Sequence, residues 1–170
     1  STRRMSHVDV QSLENLLLAT TGPKGCVLQV LMAEVLAALP THAPGTPPPP
    51  GAWKKFAALE ILQVAASVLP RQSIKGRLNA AYVGAGAKGN ELTKALCMAT
   101  RKAAASPRAN DTSSTRSAYC TAAFGCLLAV VVATQDSPKI FNGLVFGENA
   151  KKKDTLWMNL VDESAVLDLR

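Results

Sequence analysis

Aromatic residues make up only 5% of this 170-residue chain, histidine occurs twice, and no stretch alternates apolar and polar residues as a half-buried strand does. The scarcity of aromatics leaves little surface for stacking on nucleic-acid bases. The two histidines, His7 and His42, lie far in sequence from the four cysteines, Cys26, Cys97, Cys120 and Cys126, and no two cysteines form a Cys-x-x-Cys pair. That spacing offers no set of four convergent zinc ligands, so the thiols read as reduced and buried in an intracellular protein. A secretory signal is also missing: Ser1 to Val10 carries two arginines, but no apolar block follows directly. What is abundant is alanine, a strong helix former, and the composition points to packed helices rather than sheets. The length suffices for one domain with a sizeable core.

Acidic residues are scarce in one window. Between Arg71 and Arg116 stand nine basic residues opposed only by Glu91 and Asp111, so this window alone carries the whole net charge of +7. Such a concentration attracts phosphates or forms a solvated face. Within it Lys94, Arg101 and Arg108 recur every seven residues, and with Lys102 they are the candidate nucleic-acid contacts. Lys94 and Arg101 are expected on one helical face, with Arg108 beyond the break at Pro107.

The chain is organised around Thr115–Gln135, which has no charge between Ala118 and Ala133. A helix apolar on every side is wrapped by protein or by lipid. The uncharged run is short for a span of about 20 residues, contains Cys120 and Thr121, and leaves through Asp136-Ser137-Pro138, so a buried core helix is expected. Before it, Asp9 reads as an N-cap ahead of Leu13, Leu16 and Leu17, and Gly22-Pro23 breaks that helix. Leu28, Leu31, Met32, Val35 and Leu39 mark a second helix stopped by Pro40. Residues 1–39 thus form an N-terminal helical hairpin. Pro40 to Ala52 holds six of the ten prolines and reads as a linker or loop, residues 40–52. Residues 53–170 form a helical-repeat segment.

In that segment Trp53 opens a third helix that buries Phe56, Leu59, Leu62 and Leu69 beside Ile61, Val64 and Val68. Lys54, Lys55, Glu60 and Gln63 form its polar side. Ile74, Leu78, Ala81 and Tyr82 mark a fourth, ending at Gly84. Asn90 caps a fifth, which buries Leu92, Leu96, Ala99 and Ala103. Ile140, Phe141, Leu144 and Val145 suggest a short helix after Pro138, and Leu156, Trp157, Leu160 and Val161 restart the pattern after Lys151-Lys152-Lys153. The fold class that follows is all-α, an irregular helical-hairpin (HEAT-like) α-solenoid around the central helix. Both termini read as cuts in a longer protein: no Met stands at the start, and the apolar pattern is still in progress at the end.

Gly84-Ala85-Gly86-Ala87-Lys88-Gly89 matches the Gly-x-Gly-x-x-Gly pattern, in which backbone amides approach a pyrophosphate at a helix N-terminus. A true site needs a strand before it, and Leu78–Val83 instead continues a helical face, so the run reads as a glycine turn. A dinucleotide-binding enzyme fragment is the weakest of the alternatives. No nucleophile has a credible base, no paired carboxylates recur on one face, Asp162-Glu163 reads as a solvated helix end, and kinase phosphate-handling signatures are missing. No catalytic residue, metal site, cofactor or small-molecule substrate is expected.

Lys54-Lys55-Phe56 through Arg71, with Ile61-Leu62-x-Val64 and Leu69-Pro70, resembles a helix of the DNA-dependent protein kinase catalytic subunit family. Gly89-Asn90-Glu91-Leu92-Thr93-Lys94 follows in order, as do Tyr119-x-x-Ala122-Ala123-Phe124-x-Cys126, Gly143-x-x-Phe146-x-Glu148 and Asn159-Leu160-Val161-Asp162; a weaker likeness starts at Ser6-His7-Val8-Asp9. The resembling part is the middle helical-repeat scaffold, away from the serine/threonine kinase domain. Alanine enrichment and the proline-rich insert mark this chain as a distant relative. The resemblance implies a nuclear, non-catalytic scaffold that packs on neighbouring repeats of the same protein. It also implies a role in double-strand break repair by non-homologous end joining, with the Ku heterodimer and DNA ends as partners and no membrane. A nucleic-acid-binding module using the 71–116 window is the alternative. Thr134-Gln135 has the form that such kinases phosphorylate, but it ends a helix expected to be buried.

Overall fold

The computed structural model describes residues 7–37, 50–84, 89–105 and 114–147. Eight α-helices are described: α1 (His7–Leu18), α2 (Val27–Leu36), α3 (Pro50–Val68), α4 (Arg71–Ser73), α5 (Asn79–Val83), α6 (Glu91–Ala104), α7 (Ser114–Thr134) and α8 (Pro138–Val145). A π-helical turn, Ile74–Leu78, joins α4 to α5, so residues 71–83 run on as one rod. Among the described residues there is no strand, and the all-α expectation holds. An antiparallel bridge of Thr20 with Cys26 closes the turn between α1 and α2. There Gly25, at φ +86°, lets the Thr21 amide reach its carbonyl at 2.6 Å.

The central helix lies between α3 and α6 and packs most extensively on both; α2 sits alongside α3 and α6. Two hairpins, α2–α3 and α6–α7, therefore stack side by side, with the α4–α5 rod against α2 and α6. Their shared core is one cluster that includes Leu17, Leu28, Met32, Leu59, Leu62, Leu92, Leu96, Leu127 and Val130. The heptad-like spacings of α2 (Leu28, Met32, Val35) and α6 (Leu92, Leu96) place those residues inside, as expected.

Several boundaries and faces differ from the sequence expectation. Helix α1 begins at His7, so Asp9 lies within it, and Leu16 is 58% exposed while Leu17 is buried. Helix α2 ends at Leu36 rather than at Pro40; Leu39 lies outside the described residues. Helix α3 begins at Pro50, because proline is well suited to a first helical turn. Ile61 and Val64 of α3 are exposed, and so is Trp53. Lys55, expected on the polar side, is instead 2% exposed and donates hydrogen bonds to the carbonyl oxygens of Glu34 and Ala37 at the end of α2. Those carbonyls belong to the set that a helix C-terminus leaves unsatisfied, and a cation there also complements the helix dipole.

Asn90 stands at the N-cap of α6 without a side-chain capping bond. The cap comes from Asn79, whose Oδ1 accepts from the Leu92 amide at 2.8 Å and whose Nδ2 donates to Glu91 Oε2 at 3.0 Å. The central helix is not buried all round. Tyr119, Ala123, Cys126, Leu127, Val130 and Val131 face inward, whereas Ala118, Thr121, Leu128 and Val132 are exposed. No helix among the described residues is long and apolar enough to cross a membrane. The proline-rich run to residue 49, the loop at 106–113 and the pattern at 156–161 lie outside the described residues.

Candidate interaction surfaces

Helix α6 presents Lys94, Met98 and Lys102 to solvent at four-residue intervals. Arg101 belongs elsewhere: its guanidinium donates to the carbonyl oxygens of Leu144, in the last turn of α8, and of Gly147 just past it. A planar fork of donors matches a pair of unsatisfied carbonyls well, and this arginine fastens α8 to α6. Arg108 lies outside the described residues. Of the four sequence-predicted contact residues, the structure thus puts Lys94 and Lys102 together on one exposed stripe and turns Arg101 into the fold.

Other members of the basic window are also used within the fold. Arg71 pairs with Asp136 and, by that hydrogen bond, holds its carboxyl below the usual carboxylate range, with Lys75 adding to the effect. Arg77 reaches the buried Glu14 at 3.2 Å. The positive window is therefore part internal framework and part exposed stripe.

The glycine run gives no dinucleotide geometry. Gly84 ends α5 at φ +103°, and what precedes it is the helical rod 71–83 rather than a strand. Residues 85–88, Gly86 among them, lie outside the described residues. Thr134 is fully buried, and its hydroxyl donates to the Val130 carbonyl at 2.6 Å, which withholds it from a kinase. Burial pushes the Cys97 thiol up to about 11 and the Cys126 thiol up to about 12. Among the described residues no three His, Cys, Asp or Glu side chains converge as a metal site.

A broad concave surface runs between α3 and α7. Phe56, Glu60 and Gln63 form one wall, and Ala118, Thr121, Ala122 and Gly125 form the other, enclosing about 690 Å³. Small residues on α7 make this depression: a Cβ on Gly125 would stand 2.7 Å from Gln63 Oε1. Apolar side chains flank it in the open, with Trp53 60% exposed, Val64 50% and Val132 64%. Trp53 packs on Phe56 with the two rings tilted by 40°, and Phe56 in turn meets Tyr119 in a T-shaped contact. Sequence reading assigned Val64 and Ile61 to the core. The signal that separates them is the spacing Trp53, Ala57, Ile61, Val64, a second apolar stripe on α3 offset from Leu59 and Leu62.

Comparison with known proteins bears on these surfaces. Residues 52–169 match the family described as "DNA-dependent protein kinase catalytic subunit, CC3". The chain is 30% identical over 122 residues, 69% of its length, to the DNA-dependent protein kinase catalytic subunit of Dictyostelium discoideum. It is 31% identical over 110 residues to the protein of that name from Gallus gallus, and 30% over 112 residues to that from Xenopus laevis, alignments covering 63% and 64% of this chain. Each alignment covers 3% of the relative, so the chain spans a small part of the length of the proteins it matches.

Proposed function

Since the chain belongs to the DNA-dependent protein kinase catalytic subunit family and matches its CC3 region, we propose that it is a non-catalytic helical scaffold segment of such a catalytic subunit. In this reading it supports repair of DNA double-strand breaks by non-homologous end joining in the nucleus. Its direct partners are neighbouring helical repeats of the same protein, and through them the assembly engages the Ku heterodimer and DNA ends.

The observation that carries the reading is the outer side of the α3–α7 layer. Trp53, Ile61, Val64, Leu128 and Val132 stand exposed on these two helices, and a groove whose α7 wall is made of alanine, glycine and Thr121 runs between them. A helical repeat stacks by laying such a face under the next pair of helices, and small residues let the backbones approach closely. Exposed apolar side chains gathered in this way mark a contact surface. The test is made in cells expressing the whole protein with Val64→Glu and Val132→Glu. Reduced end joining and reduced co-purification with Ku, at normal protein level, are the expected outcome. Normal repair with both substitutions present overturns the reading.

A second reading, direct nucleic-acid binding, draws on Lys94 and Lys102, which are both exposed on α6. Two phosphate contacts supply little affinity by themselves and are salt-sensitive. Duplex binding by the chain is compared with that of Lys94→Glu/Lys102→Glu across a salt titration; Arg101 is left intact because it holds α8. Tight binding at physiological salt that the double variant loses favours this second reading. Weak binding that both share, at low salt only, favours the scaffold.

A further inference from the structure

A second groove, of about 410 Å³, opens at the N-terminus of α6 and is lined by Lys75, Asn90, Thr93, Lys94, Met98 and Gln135 among others. We propose that it binds one phosphate monoester group. The amide of Thr93, third residue of this 14-residue helix, belongs to the set that an α-helix leaves without an intrahelical acceptor, and the helix dipole adds positive potential there. The independent sign is Thr93 itself: the residue is 5% exposed, and its Oγ1 is buried without a hydrogen-bond partner among the described residues. A buried hydroxyl left unpaired is costly, and because Thr93 lines the groove, a ligand oxygen seated against it would relieve that cost.

Charge selects the ligand. Lys75, from the π-helical turn, and Lys94, from α6, converge on the groove, and neither makes an ion pair among the described residues. Lys75 lies near enough to Asp136 to act on it, but that carboxylate is engaged by Arg71. The Glu91 carboxylate is engaged by Asn79 and the Asn90 amide. Neither acid lines the groove. Gly89 brings the chain so close to the Lys75 carbonyl that a Cβ would stand 3.2 Å from it, which keeps the π-helical turn beside the helix start. Two cations and a helix N-terminus suit the dianion of a monoester, whose second pKa is about 6, better than the single charge of a diester. Met98 and Leu144 supply an apolar wall for the carbon that bears the phosphate.

The test uses the ¹⁵N-labelled chain titrated at constant ionic strength with inorganic phosphate, O-phosphoserine, a phosphoserine peptide, sulfate and a short DNA duplex. Saturable shifts of the Glu91–Lys94 amides are expected with inorganic phosphate and with the two monoester probes. Lys75→Met/Lys94→Met should weaken them at least tenfold. Thr93→Val should weaken them several-fold while leaving the melting temperature without phosphate unchanged or higher, since the orphaned hydroxyl is gone. Tighter binding of the peptide than of free phosphate assigns the group to a phosphorylated protein; equal binding assigns it to a small molecule. Shifts that grow linearly with concentration, or that Thr93→Val leaves unaltered, overturn the site. So does duplex binding that exceeds phosphate binding and depends on Lys102 rather than Thr93.

Discussion

Replacing Lys55 by Met tests how the corner between α2 and α3 is held. The residue is 2% exposed, and its ammonium bonds the Glu34 and Ala37 carbonyls. The substitution deletes two charge-assisted hydrogen bonds of about 1.5–3 kcal/mol each, a gross loss of about 3–6 kcal/mol. Three effects oppose it. The desolvation of an ammonium group, several kcal/mol, is no longer incurred. The Met side chain keeps most of the buried methylene packing. Water can reach the freed carbonyls, since Ala37 is exposed and Glu34 half-buried. The net destabilisation expected at pH 7 is about 2 kcal/mol, and at about 2–4 °C per kcal/mol for a chain of this size the melting temperature falls by about 4–8 °C.

The pH profile isolates the cause. Burial, the larger effect, lowers the Lys55 pKa from its ordinary 10.5, and the Glu34 charge opposes that shift. Between the lowered folded value and 10.5 the unfolded state holds the proton more often than the folded one. Stability therefore rises with pH through that interval. Below it, the penalty for burying the charge is fully present; above it, the neutral amine still donates to both carbonyls. Urea unfolding followed by circular dichroism at 222 nm should thus show the difference between parent and Lys55→Met widening in alkali. A variant within about 0.5 kcal/mol of the parent at pH 7 would refute the capping role, and parallel pH profiles would refute burial as the origin of the shift.

Asn79→Ala should lower stability by about 1–3 kcal/mol, read as a lower urea midpoint at unchanged slope, because the Leu92 amide loses its acceptor inside the core. Cys97 and Cys126, pushed up to about 11 and about 12, should resist a thiol reagent at pH 8 until denaturant is added, with half-buried Cys26 labelling first; prompt labelling of Cys126 would contradict its burial. The chain should self-associate through the exposed apolar α3–α7 face and Val64→Glu/Val132→Glu should make it a monomer by sedimentation equilibrium; an unchanged mass distribution would count against that face as the sticky surface.

Much of the fold was legible because helices bury regular stripes and because their ends are punctuated. Leu28, Met32 and Val35 of α2 and Leu92 and Leu96 of α6 went where their spacing sends them. Gly22-Pro23, Gly84 and Pro138 mark boundaries in the structure as in the sequence. What was not legible depends on contacts distant along the chain. Nothing near Lys55 says that the end of α2 will arrive above it, and a lysine that follows another lysine, Lys54, reads as surface. Asn79 caps a helix that starts twelve residues later, while the nearer Asn90 has the right identity and no bond to make. Arg101 shares its helical phase with Lys94, so only the arrival of α8 separates an internal clamp from an exposed contact.

The central helix shows the deeper reason. Sequence periodicity reveals a buried face by contrast with a polar one, and α7 supplies no contrast: its inward side holds Ala123, Leu127 and Val131, and its outward side Ala118, Gly125, Leu128 and Val132. Lack of a polar side was read as burial on every side within this chain. The structure divides the same residues into a side packed on α3 and α6 and a side turned to solvent. An isolated domain has no reason to leave Val132 and Leu128 apolar there, since charged residues would serve solubility better. A segment of a larger helical array does, because each layer must meet its own core on one side and the next layer on the other. On that argument the charge-free run from Ala118 to Ala133 is what the proposed scaffold role asks of a helix: apolar on the side packed on α3 and α6 and apolar on the side turned away from them.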